Sequence, residues 1–300
     1  MKPETDKLGP IRTALFVPGN RPDRVDKAID TTADRVIIDL EDAVAVSQKV
    51  ETRALVRDKI IANKDRGVLV RVNGLETDFF MGDLEAVVVK ELGGLVLPKT
   101  ENSHQVGEIH RVLVDLEKKQ GLNAGGIAVI LLTESALAIQ NIFQISSAAT
   151  ELNREFLIAL GAADYALDMG IEITKDGGEL MYPRSRIALA CRAAGIPPPL
   201  DTPFMIDLKD IDALKDDARR AKHMGFQGKL CIHPNQIEPC HVIFTPGREE
   251  ISFARRVVDA FEAEAACGVA AIQVDGKFVD YPVVERSRRI LRLASRIAGM

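Results

Sequence analysis

Short runs rich in Leu, Ile and Val recur along this chain, each followed by a longer stretch whose apolar residues repeat with helical spacing. That alternation demands a parallel sheet wrapped by helices. Eight runs qualify: Thr13 to Pro18, Arg35 to Leu40, Val68 to Asn73, Gly94 to Lys99, Ile127 to Thr133, Phe156 to Gly161, Pro199 to Thr202 and Gly228 to Ile232. Helical patterns such as Ser47 to Ala62, Ser103 to Gln120, Tyr182 to Ala194 and Leu208 to His223 are long enough to cross back over a sheet. Eight repeats point to a (β/α)8, or TIM, barrel of the α/β class, and such barrels reach 300 residues as one unit. A doubly wound open sheet is the alternative, because Pro197, Pro198 and Pro199 crowd the seventh run and proline cannot donate a ladder hydrogen bond.

After the eighth run the pattern changes. Arg248 to Cys267 reads as one helix, Gln273 to Asp280 as a short hairpin turning at Asp275-Gly276, and Val283 to Ile297 as a last helix. The expected organisation is a barrel over 1–246 and an extension over 247–300 that closes over its own site or reaches a neighbouring subunit.

A formal charge of −5, with no basic stripe interleaved with aromatics, argues against a nucleic-acid partner. The most apolar windows are of strand length, which argues against a membrane span, and the polar start, Met1 to Pro10, does not resemble a signal peptide. Cys191, Cys231, Cys240 and Cys267 lack CxxC spacing, so they read as small core residues in a reducing cytoplasm.

Barrel chemistry collects at the carboxyl ends of the strands, so the polar residues that end apolar runs are the candidates. These are Asp39, Glu41 and Asp42 after the second run, Arg71 and Asn73 after the third, Lys99 after the fourth, Glu134 after the fifth and Asp164 after the sixth. Glu134 and Asp164 follow strongly apolar strands, where inward-facing carboxylates call for a neutralising cation, and two acids plus waters is how Mg²⁺ is usually held. Either acid alone would read rather as a helix N-cap or a salt bridge at the loop, but two acids on successive strands favour the metal. Arg71 suits a bidentate clamp on a substrate carboxylate, or a buried ion pair with the acids after strand two. Asp42 starts a helix on the plainer reading, and on the other Asp39, Glu41 and Asp42 bind water on a metal. Lys99 either neutralises charge in the pocket or pairs with those acids. His233, the one histidine at a strand end, is as easily a structural hydrogen-bonder as a base. GxGxxG, GxxxxGK[ST] and nucleophilic triads are absent, which counts against nucleotide-dependent and covalent mechanisms.

Six segments in order, Leu15-Phe16-Val17-Pro18-Gly19, Asp39-Leu40-Glu41-Asp42-Ala43-Val44, Val70-Arg71-Val72-Asn73, Leu97-Pro98-Lys99, Thr133-Glu134-Ser135 and Ile232-His233-Pro234-Asn235-Gln236, resemble the HpcH/HpaI aldolase/citrate lyase family. The likeness is to its citrate lyase β-subunit-like branch and spans Thr13 to Pro282. The resemblance implies a TIM barrel of the phosphoenolpyruvate/pyruvate-domain type, a homotrimer or a hexamer, and Mg²⁺ between Glu134 and Asp164. It further implies that Arg71 meets the substrate carboxylate and that Pro18, Gly19 and Asn20 lie near a CoA thioester. Gly276-Lys277-Phe278-Val279-Asp280-Tyr281-Pro282 is similar to the segment that lends an aspartate to the adjoining subunit in malyl-CoA and citramalyl-CoA lyases, which makes Asp280 a candidate acid/base; otherwise it is a polar hairpin residue. The activity so implied is Mg²⁺-dependent cleavage or formation of a short 3-hydroxyacyl-CoA such as citramalyl-, malyl- or citryl-CoA, giving an acyl-CoA and a 2-oxo acid. A class II aldolase acting on free hydroxy-oxo acids, and a β-type subunit active only with an acyl-carrier partner, are the alternatives.

Overall fold

A computed structural model describes residues 7–265 and 271–299. Cys267, and with it the end of the helix expected to reach it, lies outside the described residues. The chain divides into two compact units, Met1–Val242 and Ile243–Met300.

In the first unit eight strands close a barrel: β1 (Thr13–Pro18), β2 (Arg35–Asp39), β3 (Leu69–Arg71), β4 (Gly94–Leu97), β5 (Val129–Thr133), β6 (Phe156–Leu160), β7 (Leu200–Asp201) and β8 (Gly228–Cys231). Every neighbouring pair is parallel, and closure is made by β1 against β8, with Ala14 opposite Leu230. The barrel therefore stands and the open sheet does not. Inside, alternate residues such as Ile37, Leu69, Val96, Ile130, Leu157 and Leu200 form a fully buried core. The proline run shortens β7 to two residues without opening the ring.

Several strands end earlier than the apolar runs do. Val72 N–H still reaches the Val96 carbonyl, but Asn73 N–H donates to an Asp83 carboxylate oxygen at 2.9 Å. Lys99 N–H likewise leaves the ladder for Glu134 Oε1 at 2.7 Å. The third, fourth and eighth runs thus end on a residue, Asn73, Lys99 or Ile232, whose backbone N–H turns to a side chain, whereas Leu40 and Gly161 still donate to backbone carbonyls. The helices begin where their caps are: Asn102 and Gln105 form a reciprocal capping box at the start of Ser103–Lys119.

The second unit holds helix Arg248–Ala265, an antiparallel hairpin of Ile272–Val274 with Lys277–Val279, and helix Tyr281–Ala298. Val257, Phe261, Val274, Val279 and Val284 form its core. The hairpin turns at Asp275 (φ 51°) and Gly276 (φ 75°), the pair of left-handed residues that a two-residue turn requires. Cys191, Cys231 and Cys240 are free and buried, as small core residues. Among the described residues no helix is long and apolar enough to cross a membrane.

Candidate active site

At the carboxyl end of the barrel a cavity of about 420 Å³ is lined by Phe16, Val17 and Pro18 of β1, Asp39, Asp42 and Arg71 from the ends of β2 and β3, and Glu134 and Asp164 beyond β5 and β6. Thr202, Pro203, Met205, Leu230 and Ile232 complete a largely apolar far wall. The fold thus brings the two acids expected to hold a metal, and the arginine, into one space.

Register sets the first charged pair. Asp39 and Arg71 are direct partners across β2 and β3, so their side chains leave the strand ends side by side. Arg71 donates from Nε to Asp39 Oδ1 at 2.7 Å and from Nη2 to Oδ2 at 2.6 Å, while Asp39 also accepts the N–H groups of Glu41 and Ala43. Four donors occupy that carboxylate. The bidentate face of Arg71 is accordingly spent on Asp39, and the ion-pair reading of this residue describes what is seen. Nη1 remains, 3.0 Å from Glu41 Oε2 and 3.8 Å from Asp42, with the Phe16 ring 4.9 Å from the guanidinium carbon.

Glu41 bridges two strand ends. Its Oε1 lies 3.1 Å from Lys99 Nζ, and its buried Oε2, within ion-pair distance of Arg71, has no hydrogen-bond partner among the described residues. Burial pushes the Glu41 carboxyl above its ordinary range; Arg71 opposes this, Asp42 adds to it and Lys99 opposes it. Burial works against the charge on Lys99, but Glu41, Asp42 and Asp164 hold its pKa above the usual lysine value. Lys99 therefore pairs with the acids. Asp42 is exposed and starts no helix: the next helical turn begins at Val46.

Glu134 is 3% exposed, and its pKa is pushed up to about 8 by burial and by the charges of Glu41 and Asp164, against Lys99 N–H and Arg71. Lys99 adopts φ 52°, a left-handed conformation that L residues rarely accept, and from it aims its N–H at Glu134 Oε1. On the other side Gly161 leaves room for the carboxylate: a Cβ there would sit 2.4 Å from Glu134 Oε2. Asp164 stands in the first turn of helix Ala162–Met169, whose N-cap is Gly161, and its carboxylate has no hydrogen bond or ion pair among the described residues. No cluster of three or more His, Cys, Asp or Glu is arranged to enclose a cation among the described residues. Two carboxylates facing one cavity, one buried and one unpartnered, nonetheless fit Mg²⁺, which keeps most of its water.

Pro18 lines the cavity, whereas Gly19 and Asn20 do not. Gly19 N–H donates to the Asp39 carbonyl at 2.9 Å, and Asn20 Nδ2 donates to Gln48. His233 caps the turn Pro234–Gln236 by accepting Asn235 N–H, a structural task. Asp280 lies in the second unit, where it caps helix Tyr281–Ala298 by accepting Val283 N–H at 3.3 Å. Sequence reasoning missed Arg24, which lines the cavity and whose guanidinium has no partner among the described residues. Its signal was position, since it stands in the first turn of helix Pro22–Ile29, directly after β1.

A closed parallel ring with acids and an arginine gathered at its carboxyl mouth defines a (β/α)8-barrel enzyme. The chain belongs to the HpcH/HpaI aldolase/citrate lyase family, whose family model matches residues 12–234. It is 37% identical to "Citrate lyase subunit beta" of Leuconostoc mesenteroides subsp. cremoris, over 95% of this chain and 93% of that one. It is 31% identical to "L-malyl-CoA/beta-methylmalyl-CoA lyase" of Cereibacter sphaeroides, over 97% and 96%. Among solved structures, the protein CitE of Mycobacterium tuberculosis, in complex with magnesium, acetoacetate and coenzyme A, superposes with a TM-score of 0.75 at 31% identity, covering 96% of this chain and 99% of that one. The chain is a carbon–carbon lyase of the citrate lyase β-like kind.

Proposed function

We propose that this lyase is Mg²⁺-dependent and that it cleaves or forms a short 3-hydroxyacyl-CoA thioester, of the citramalyl, malyl or citryl type, yielding an acyl-CoA and a 2-oxo acid. The observation that carries this reading is the pair Glu134 and Asp164 facing one cavity beside Arg71. The malyl-CoA lyase relative and the solved relative bound to magnesium and coenzyme A support the thioester and the metal.

Glu134 and Asp164 would hold the cation. When bound, it supplies Lewis acidity and a template for the carboxylate and carbonyl oxygens of the departing 2-oxo acid. Arg71 Nη1 takes the substrate carboxylate, and its fork stays oriented by Asp39. Glu41 and Asp42 order water at the mouth and lead the 3-hydroxyl proton away. Pro18, with Gly19 and Asn20 beside it, borders the thioester arm, and Lys99 balances the charge of the acids. Arg24, which lines the cavity and has no side-chain partner among the described residues, suits an anionic part of the thioester.

The extension over 247–300 would lend Asp280 to a neighbouring subunit of a homotrimer or hexamer, where it delivers a proton to the α-carbon of the departing thioester. Asparagine caps a helix as well as aspartate does. Asp280→Asn should therefore leave the melting temperature unchanged while turnover falls at least ~100-fold, the low end for loss of a positioned acid, with thioester binding little altered. Equal turnover in steady-state assays of the two proteins would confine Asp280 to its cap.

Proton and cation compete for the oxygens of Glu134. Because its proton is lost only near pH 8, Mg²⁺ affinity is expected to rise with pH up to that point and to weaken by up to about tenfold per unit below it. Titration calorimetry from pH 6 to 9 reads this directly; a flat profile would remove Glu134 from the metal.

A second reading, a β-type subunit that works only with an acyl carrier, is favoured by the 37% identity to a citrate lyase β subunit over nearly the whole chain. Malyl-, citramalyl-, β-methylmalyl- and citryl-CoA, each assayed with and without Mg²⁺, decide between the two. Turnover of a free CoA ester supports the first, and silence until an acyl-carrier protein is added supports the second.

A further inference from the structure

We infer that Lys49 is a positioning residue, an interior ammonium that fixes the bend after β2 and thereby sets the Glu41 carboxylate between Arg71 and Lys99. This rests on the proposed lyase reading only for its activity readout.

Lys49 lies in the first turn of helix Lys49–Ala62, where a lysine in the sequence reads as part of a solvated face, yet it is only 8% exposed. Its Nζ donates to the Leu40 carbonyl at 2.9 Å, the Glu41 carbonyl at 2.5 Å and Asn73 Oδ1 at 2.7 Å. Those are three acceptors for three N–H bonds, the full capacity of an ammonium. No carboxylate is ion-paired with it among the described residues. A buried cation held by neutral oxygens, with the Phe79 ring 5.8 Å away, is costly, and two of the three oxygens are successive backbone carbonyls. They converge on one atom only because the chain bends there, so the ammonium and the bend specify each other.

The anchor is itself held. Asn73 Nδ2 donates to the Leu40 carbonyl and to Asp83 Oδ2, and Arg53 Nε donates to Asp83 Oδ1. This chain of bonds ties the end of β2 to the segment after β3. Glu41 hangs from the anchored peptide with its carboxylate on Arg71 and Lys99. Lys49 does not line the cavity, so any effect on turnover must pass through what it holds.

The test uses the full-length, Mg²⁺-loaded protein and two variants. In crystals of Lys49→Met the Glu41 carboxylate should have left ion-pair distance of Lys99. Lys49→Arg, which keeps the charge but cannot converge a planar fork on three oxygens, should do the same and serves if the first variant does not fold. In assays Lys49→Met should lower kcat by ~10-fold, the scale of an orienting partner, with KM within about twofold. In a Glu41→Gln background the same change should add nothing, because coupled residues are non-additive. A Glu41 carboxylate found in place, or the same loss in both backgrounds, overturns the inference, since a merely structural lysine would act regardless of Glu41. Absence of turnover in the unaltered protein would sink the lyase reading instead, and the position of Glu41 in the crystals would then decide on Lys49 alone.

Discussion

Glu134→Ala should abolish Mg²⁺-dependent turnover while leaving the barrel folded, and Asp164→Ala should do the same. If the two carboxylates hold the cation, either change removes a charged ligand from a site with only two. Lewis-acid stabilisation of several kcal/mol is then forfeited, a loss on the order of a thousandfold in rate. The fold is expected to survive because neither residue is part of a strand: Glu134 follows β5, and Asp164 stands in the first turn of a helix. Removing the buried Glu134 carboxylate should even relieve the folded protein at alkaline pH. A group whose folded pKa lies above its ordinary 4.5, here at about 8, favours the folded state most when protonated, and that contribution is lost as pH rises through 8. Metal-free wild type should therefore lose stability between roughly pH 5 and 9 relative to Glu134→Ala. Steady-state kinetics over a Mg²⁺ series, with denaturant unfolding of both proteins, checks both halves. Turnover retained in either variant would take that residue out of the metal site.

Asp39→Ala is expected to have the largest effect on stability. Asp39 is 1% exposed and accepts two hydrogen bonds from the Arg71 fork and two from backbone N–H groups. Its loss strands a guanidinium in the barrel mouth, and breaking a buried pair by removing one partner costs about 3–5 kcal/mol. Glu41 and Asp42, within 4 Å of Nη1, should recover part of that by drawing the guanidinium over, which also displaces the nitrogen proposed for the substrate. Urea unfolding should give a midpoint shift of that size, and KM should rise in the folded fraction. A change under about 1 kcal/mol would mean that the pair is solvated and dispensable, as surface pairs are.

How much of this was legible in the residues differs between fold and site. Eight apolar runs of strand length, separated by crossover helices, left few topologies open, and all eight became strands in sequence order. The hairpin at Asp275-Gly276 was equally readable, because local turn chemistry decides it. At the site, the acids and the arginine could be named because strand ends in such barrels face one mouth. Their partners could not be named. That Asp39 claims both inner nitrogens of Arg71 follows from register across β2 and β3, and register is a property of the pairing, not of either strand. Lys49 was hidden for the opposite reason, since helical periodicity places a lysine outside unless a bend elsewhere offers it oxygens.

The order of apolar and polar residues thus determined a closed parallel barrel and which side chains stand at its open end, because period and strand count are local properties summed along the chain. Only the tertiary structure decided which charges neutralise one another and which remain for a ligand. The left-handed turn at Lys99, the space kept by Gly161 and the three oxygens around Lys49 depend on neighbouring strand ends and the loops after them, which are brought together by the pairing of the strands and not by any one segment's own pattern.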